Sequence, residues 1–166
     1  MSLIEIVLYV ALLGMVSVFI VNSFIQITNV YARARAEREV LANARVALTV
    51  LTDAIAQAQA VYGPTSRFNS DTGQLSLATA ATSTPGEARA YIDFWIDNGR
   101  IFERMEGQGN VALSAATARV SMFRFERIIQ TLGREAVRAT IRVDAAAVKF
   151  PVSVTLNATT ALRGNY

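Results

Sequence analysis

The chain has 166 residues, of which 52% are apolar and 17% charged, and its net charge at pH 7 is +3. It contains no cysteine and no histidine, which excludes disulfides, thiolate catalysis and cysteine-ligated metal sites and removes the commonest general base. The sequence shows no phosphate-binding glycine loop, metal-spaced carboxylate cluster or nucleophile arrangement, so we predict no enzyme activity, catalytic residue, metal or cofactor.

The first predicted element is an apolar N-terminal helix. From Leu3 to Ile27 the sequence is apolar and exceeds the about 20 residues that a helix needs to cross a bilayer. No basic region precedes this segment and no small-residue cleavage site follows it, so we expect it to be retained rather than removed as a secretory signal. Residues 1–30 are therefore predicted to form a transmembrane helix.

Glu5 is the only charged side chain between Met1 and Ala32. A carboxylate in hydrocarbon costs on the order of 2.5–3.5 kcal/mol on insertion scales, so an ionisable residue there indicates a function. The first turn of a helix also favours a negative charge. Its position alone leaves two explanations open: Glu5 docks against a cation, such as the Met1 amine of another chain, or it snorkels to the membrane edge.

The start of the chain resembles the N-terminal segment of type IV pilins and type II secretion pseudopilins. The similarity rests on the sequences SLIEIV from Ser2 and VALLG from Val10, and it extends to about Ile25. The family has a glutamate and commonly a glycine where this chain has Glu5 and Gly14. The chain departs from the family in Met1, where phenylalanine is usual, and in Asn22, where many members have proline.

The resemblance implies a processing and assembly pathway. A peptidase would remove a short basic leader before Met1 and the new N-terminus would be methylated. Glu5 would then pair with the N-terminal amine of a neighbouring subunit. Because Gly14 and Asn22 are weak helix formers, a helix break is expected between them during assembly. The predicted filament-core residues are Leu3, Ile4, Ile6, Val7, Val10 and Leu13.

Residues 31–63 are predicted to continue the helix with one apolar side. No proline or glycine interrupts the chain between Gly14 and Gly63, and Gly63-Pro64 is a typical helix end. Alanines within the apolar stripe, and the strands that follow it, favour packing on a sheet rather than in a coiled coil. The predicted stripe is Leu41, Ala44, Leu48, Leu51, Ile55, Ala58 and Tyr62.

Residues 64–166 are predicted to form an antiparallel sheet. Asn98-Gly99 favours a type I′ hairpin turn, whose two-residue loop fixes the register of the flanking strands. One face then has an aromatic pair between opposite charges, and the other is apolar except for Glu103. The predicted cross-strand pairs are Asp97 with Arg100, Ile96 with Ile101, Trp95 with Phe102, and Asp93 with Arg104.

Three later segments alternate as strands. The alternation of Arg119–Ile129 shifts near Met122-Phe123, which indicates a bulge. The inward residues of the next two strands are predicted to be Val137, Ala139, Ile141 and Val143, and Phe150, Val152, Val154 and Leu156, the latter alternating with Lys149 and polar residues. Thr65–Gly73 and Thr79–Gly86 are predicted loops. The outward row of Arg134, Arg138 and Arg142 lacks interleaved aromatic residues, so we interpret it as a charged surface and do not expect nucleic-acid binding.

The predicted fold class is α+β, with a long helix packed on an antiparallel meander of five or six strands. The predicted function is that of a pilin, a structural subunit that polymerises with copies of itself into a filament. Its other partners would be the bacterial inner membrane before assembly, a prepilin peptidase and the pilus assembly machinery, and its final location the cell surface. The alternatives are a minor pilin or pseudopilin at a filament tip and a signal-anchored adhesin or receptor.

Overall fold

The computed structural model describes residues 2–80, 89–129, 134–146 and 151–164. The chain divides into two compact units, Met1–Arg35 and Ala36–Tyr166, and helix α1 (Leu3–Gln57) begins in the first and ends in the second. Three predictions lie outside the described residues: the processing of Met1, most of the loop Thr79–Gly86, and the positions of Lys149 and Phe150 in their strand.

The first unit consists of the N-terminal part of α1. The helix is continuous through Gly14 and Asn22, so the isolated chain has no break at either residue. One glycine costs about 1 kcal/mol relative to alanine, which is less than opening a turn of the hydrogen-bonded ladder. The expected break concerns the assembled state and stays a prediction.

In the second unit, one face of α1 packs into the hydrophobic core. Ala44 and Ala47 let the helix approach its neighbours closely, and both are buried. Leu48, a predicted member of the stripe, is only partly buried at the margin of the core. The buried helix residues are Val40, Ala44, Ala47, Leu51 and Ile55.

The helix ends at Gln57, so the predicted end at Gly63 was wrong. The Gln59 N–H donates to the Ala78 carbonyl at 2.8 Å, and the chain then extends as a strand. Strand alternation turns Tyr62 away from the core, opposite to its neighbour Val61. Tyr62 is 39% exposed and packs edge-on against Tyr91, which corrects its predicted place in the helix stripe.

Five antiparallel strands form the first sheet, in the order β1-β2-β3-β4-β5. Asn98 and Gly99, which connect β3 to β4, have positive φ of 48° and 73°, as a type I′ turn requires. All four predicted cross-strand pairs of this hairpin are confirmed. The strands are β1 (Ala60–Val61), β2 (Gln74–Thr79), β3 (Ala90–Asp97), β4 (Arg100–Met105) and β5 (Val111–Ala112).

Three antiparallel strands form the second sheet, in the order β6-β7-β8. The predicted bulge is confirmed by a register shift between Val120 and Met122. The inward residues predicted for the middle strand are all buried. The strands are β6 (Ala118–Ile129), β7 (Glu135–Ala145) and β8 (Ser153–Ala161).

The core of the second unit lies between α1 and the inner faces of the two sheets. Leu51 of the helix, Phe94 of the first sheet and Phe125 of the second are all at most 1% exposed. The α+β fold class is therefore confirmed, with a helix packed on antiparallel sheets. The strands form two sheets rather than one meander, and their number within the described residues exceeds the prediction because two-residue strands have no detectable periodicity.

Candidate functional site

Glu5 lies in the first turn of α1. The Ser2 carbonyl accepts hydrogen bonds from the Glu5 N–H at 3.0 Å and the Ile6 N–H at 3.3 Å. These contacts make Ser2 the N-cap and Glu5 the third helical residue. The carboxylate therefore lies at the end of the helix where the dipole favours negative charge.

The pair Ser2 and Glu5 also has the residue types and spacing of a capping box. In that motif the serine side chain accepts a bond from the third helical N–H, and the glutamate reaches back to the N-cap N–H. Sequence reasoning missed this role, although Ser-x-x-Glu before an apolar run is its usual signal. Glu5 thus has the sequence context of a capping residue beside the docking role, although the bonds that the structure shows here are those to the Ser2 carbonyl.

The docking role and the capping role differ in whether Glu5 needs a cation nearby. Glu5 is exposed, and among the described residues no cationic group contacts its carboxylate. The first cationic side chain in the sequence is Arg33, which lies about 42 Å along the helix at 1.5 Å per residue. No cationic side chain in the described part of this unit is therefore within reach of Glu5.

Apolar side chains surround Glu5 on every side of the helix. One stretch of this helix has a mean hydropathy of 2.6 and no buried residue. By length and composition, the helix could cross a membrane. The predicted filament-core residues are therefore available to lipid or to another helix. Their exposed fractions are 81% for Leu3, 74% for Ile4, 51% for Ile6, 59% for Val7, 64% for Val10 and 69% for Leu13.

Two hydroxyl groups in this segment bond to their own helix. The Ser17 hydroxyl donates to the Leu13 carbonyl and the Thr28 hydroxyl to the Ile25 carbonyl, both at 2.8 Å. Such bonds satisfy polar groups that lipid cannot. A Cβ at Gly14 would meet nothing within 4 Å, so packing within the described chain does not require glycine there. Asn22 is exposed on the same helix.

The arginine row of the second sheet is largely neutralised by nearby acids. Arg138 pairs with Glu126 at 3.2 Å, and Arg142 pairs with Asp144 at 3.4 Å. Arg134 also has an interaction partner. This arrangement agrees with the interpretation of a charged surface rather than a phosphate-binding one.

Glu103 is a described ionisable group whose pKa is clearly shifted. Burial raises the pKa of Glu103 above its ordinary value of 4.5; its neighbours across the sheet are Phe94 and Val111. In the described part of the chain, no three Asp or Glu side chains are grouped closely enough to hold a metal ion.

The chain matches no protein-family model, no curated protein and no solved structure. The functional argument therefore depends on the chemistry of the N-terminal helix and on the resemblance of its first residues to pilins. Within that helix, the feature that calls for a function is a carboxylate with no cationic side chain in reach.

Proposed function

We propose that the chain is a pilin-like structural subunit. The apolar part of α1 holds it in the bacterial inner membrane, and the same helix later packs into the core of an extracellular filament. Glu5 pairs with the N-terminal amine of a neighbouring subunit. The observation that carries this proposal is the exposed Glu5 carboxylate on an apolar helix whose nearest cationic side chain is Arg33.

The energetics of helix association in a membrane support a role for Glu5 in setting the axial register of neighbouring subunits. Lipid tails are as apolar as leucine, so helices in a membrane associate through close packing and polar contacts rather than through the hydrophobic effect. A helix that is apolar on all sides can pack against its neighbours in many similar arrangements, so packing alone does not fix their axial register. A charge pair between Glu5 and an amine strengthens as water is excluded, so it favours one register among them.

The structure suggests a substitution series that separates docking from capping. Glutamine can replace glutamate in a capping box, so Glu5→Gln keeps the cap and removes the charge. Ser2→Ala does the opposite, because it removes the side-chain cap and keeps the charge. Glu5→Ala removes the charge and the glutamate's bond of the capping box but leaves the Ser2 side chain in place. We expect all three proteins in the inner membrane, and only the Ser2→Ala protein in filaments.

Cell fractionation and quantitative mass spectrometry of sheared filaments measure these outcomes. Incorporation of Glu5→Gln at wild-type levels would refute the docking role. Failure of Ser2→Ala together with normal assembly of Glu5→Gln would assign Glu5 to capping alone. The copy number of the wild-type chain in the same filaments separates a shaft subunit from a minor pilin or pseudopilin.

N-terminal mass analysis of the native protein tests the processing step. We expect an N-methylated Met1 with no upstream residues. An uncut or unmodified N-terminus would favour the signal-anchored adhesin or receptor and would leave Glu5 without its proposed partner.

A further inference from the structure

The edge strands of the two sheets differ in how they are protected. In the first sheet, β1 and β5 have two residues each, and short edges offer few free backbone groups. In the second sheet, a loop covers the edge of β6. The Gly73 N–H donates to the Phe123 carbonyl, and the Phe123 N–H to the Asp71 carbonyl, both at 2.8 Å. The edges of β1 and β5 are therefore short, and the edge of β6 is covered as far as Phe125, whose carbonyl accepts the Asn69 N–H at 2.9 Å.

Strand β8 is the exception. It runs for nine residues and pairs along its length with β7 on one side. Among the described residues, no backbone group of β8 bonds to anything on the other side. Its sequence, SVTLNATTA, contains no charge, proline or glycine, which are the usual devices that prevent an edge from pairing. This edge is therefore open to another strand.

The side chains of β8 are suited to a covered position. Exposed and half-buried residues alternate along the strand, with polar groups such as Thr155 and Asn157 outward. Val154 and Leu156 point to the core but are only partly buried. A strand added beside β8 would cover more of these two side chains.

We propose that β8 pairs antiparallel with β8 of a second copy of this chain, about a two-fold axis perpendicular to the sheet. The other edges of the described chain are short or partly covered, so β8 is the longest open edge that a second copy can offer. Pairing of identical surfaces gives a two-fold interface. The two three-stranded sheets then form one continuous sheet. This proposal does not depend on the function of Glu5, and it applies to copies that do not share one membrane, because the axis reverses the direction of α1 along the sheet.

The centre of β8 is self-complementary in this arrangement. Full overlap places Asn157 opposite Asn157 of the second copy, Thr155 opposite Thr159, and Leu156 opposite Ala158. Directly opposed residues share a face of the sheet. These central pairs match polar with polar and apolar with apolar residues, whereas at the ends Val154 lies opposite Thr160 and Ser153 opposite Ala161. The strand has no charged residue, so no like charges oppose each other.

Because the chain contains no cysteine, single introduced cysteines can test the register of the proposed β8 pair directly. In an antiparallel pair, opposed Cα atoms lie about 4.5–5.5 Å apart, within the range that a disulfide can bridge. We expect the full-length Asn157→Cys protein in detergent to form a disulfide dimer on mild oxidation. Ser121→Cys, on the exposed face of β6, is the control for random collision.

Two further proteins fix the register. Thr155→Cys alone should remain monomeric, because its counterpart lies opposite Thr159, whereas a mixture with Thr159→Cys should form the mixed dimer. Asn157→Cys dimers at or below the Ser121→Cys level would overturn the proposal. A mixed dimer no more abundant than the Thr155→Cys homodimer would overturn the register and with it the two-fold pairing.

A charge substitution provides a test without cross-linking. Asn157→Lys places two cations directly opposite each other, which destabilises a cross-strand pair, while an exposed edge position tolerates lysine in the monomer. We expect at least a tenfold loss of dimer in sedimentation or native mass spectrometry. Thr49→Lys, on an exposed part of α1, is the matched control. An unchanged dimer fraction for Asn157→Lys would overturn the proposal.

Discussion

Replacing Gly73 with alanine should destabilise the second unit, because there is no room for the added methyl group. A Cβ at this position would lie 2.6 Å from the Phe123 carbonyl oxygen, 3.0 Å from a ring carbon of Phe125 and 3.2 Å from the Arg67 carbonyl oxygen. Two of these atoms belong to the backbone and cannot rotate away. The loop must therefore move off β6.

The magnitude follows from two contributions. Adding a methyl group to a closely packed site costs about 1–3 kcal/mol. The nearest atom, the Phe123 oxygen, also accepts the Gly73 N–H at 2.8 Å, and weakening that bond adds about 0.5–1.5 kcal/mol. We therefore expect the free energy of unfolding to fall by about 2–4 kcal/mol. For a domain of this size, that lowers Tm by roughly 3–5 °C per kcal/mol.

Urea unfolding of the full chain in detergent, followed by tryptophan fluorescence, measures the change, because the chain has a single tryptophan, Trp95 in β3. Gly63→Ala is the matched control, since a Cβ there would meet nothing within 4 Å and the backbone conformation suits alanine. We expect this control to be neutral or to stabilise by about 0.4–1 kcal/mol. A Gly73→Ala protein within about 0.5 kcal/mol of the control would refute the close approach of loop and strand.

Two further substitutions test the core and the buried acid. Leu51→Ala should lower the free energy of unfolding by about 2–5 kcal/mol in the same assay, because Leu51 is 1% exposed. Val46→Ala, at a position that is 55% exposed, should change it little. Equal effects of the two substitutions would contradict the packing of α1 into the core. Because partial burial raises the pKa of Glu103 above 4.5, the folded state binds more protons than the unfolded state between the two pKa values, and stability falls as pH rises through that range. Glu103→Gln should therefore raise Tm at pH 7 and lose this advantage below pH 4, and an equal gain at both pH values would contradict the burial effect.

The hairpin could be predicted from sequence because two independent signals agree. Asn98-Gly99 specifies the turn, and the alternation of both strands permits one register. Strand β2 gives no such signal, because Ser76 and Ala78 are buried on the face where alternation predicts exposure. The Ser66 hydroxyl, from a loop over that face, accepts the Ser76 N–H at 3.0 Å, and sequence periodicity does not report such a contact.

The end of α1 was mispredicted for a similar reason. Local signals favour Gly63, but strand pairing draws the chain out of the helix after Gln57 through the bond from Gln59 to Ala78. The buried stripe of α1 is also offset toward Ala47 relative to the predicted stripe, and this offset depends on how closely the sheets approach the helix. At the N-terminus the position of Glu5 was evident from composition, while its place as the third helical residue after Ser2 required the helix start to be located.

The unequal protection of the strand edges sets an upper limit on β-mediated association. A subunit with two open edges is bivalent and can add further copies without limit, as in cross-β fibres. In the described part of this chain, β8 is the longest edge without bonded partners, and pairing with the same strand of a second copy occupies it. Association through β8 therefore ends at two copies, and any longer polymer must grow through a different surface, such as the exposed apolar helix.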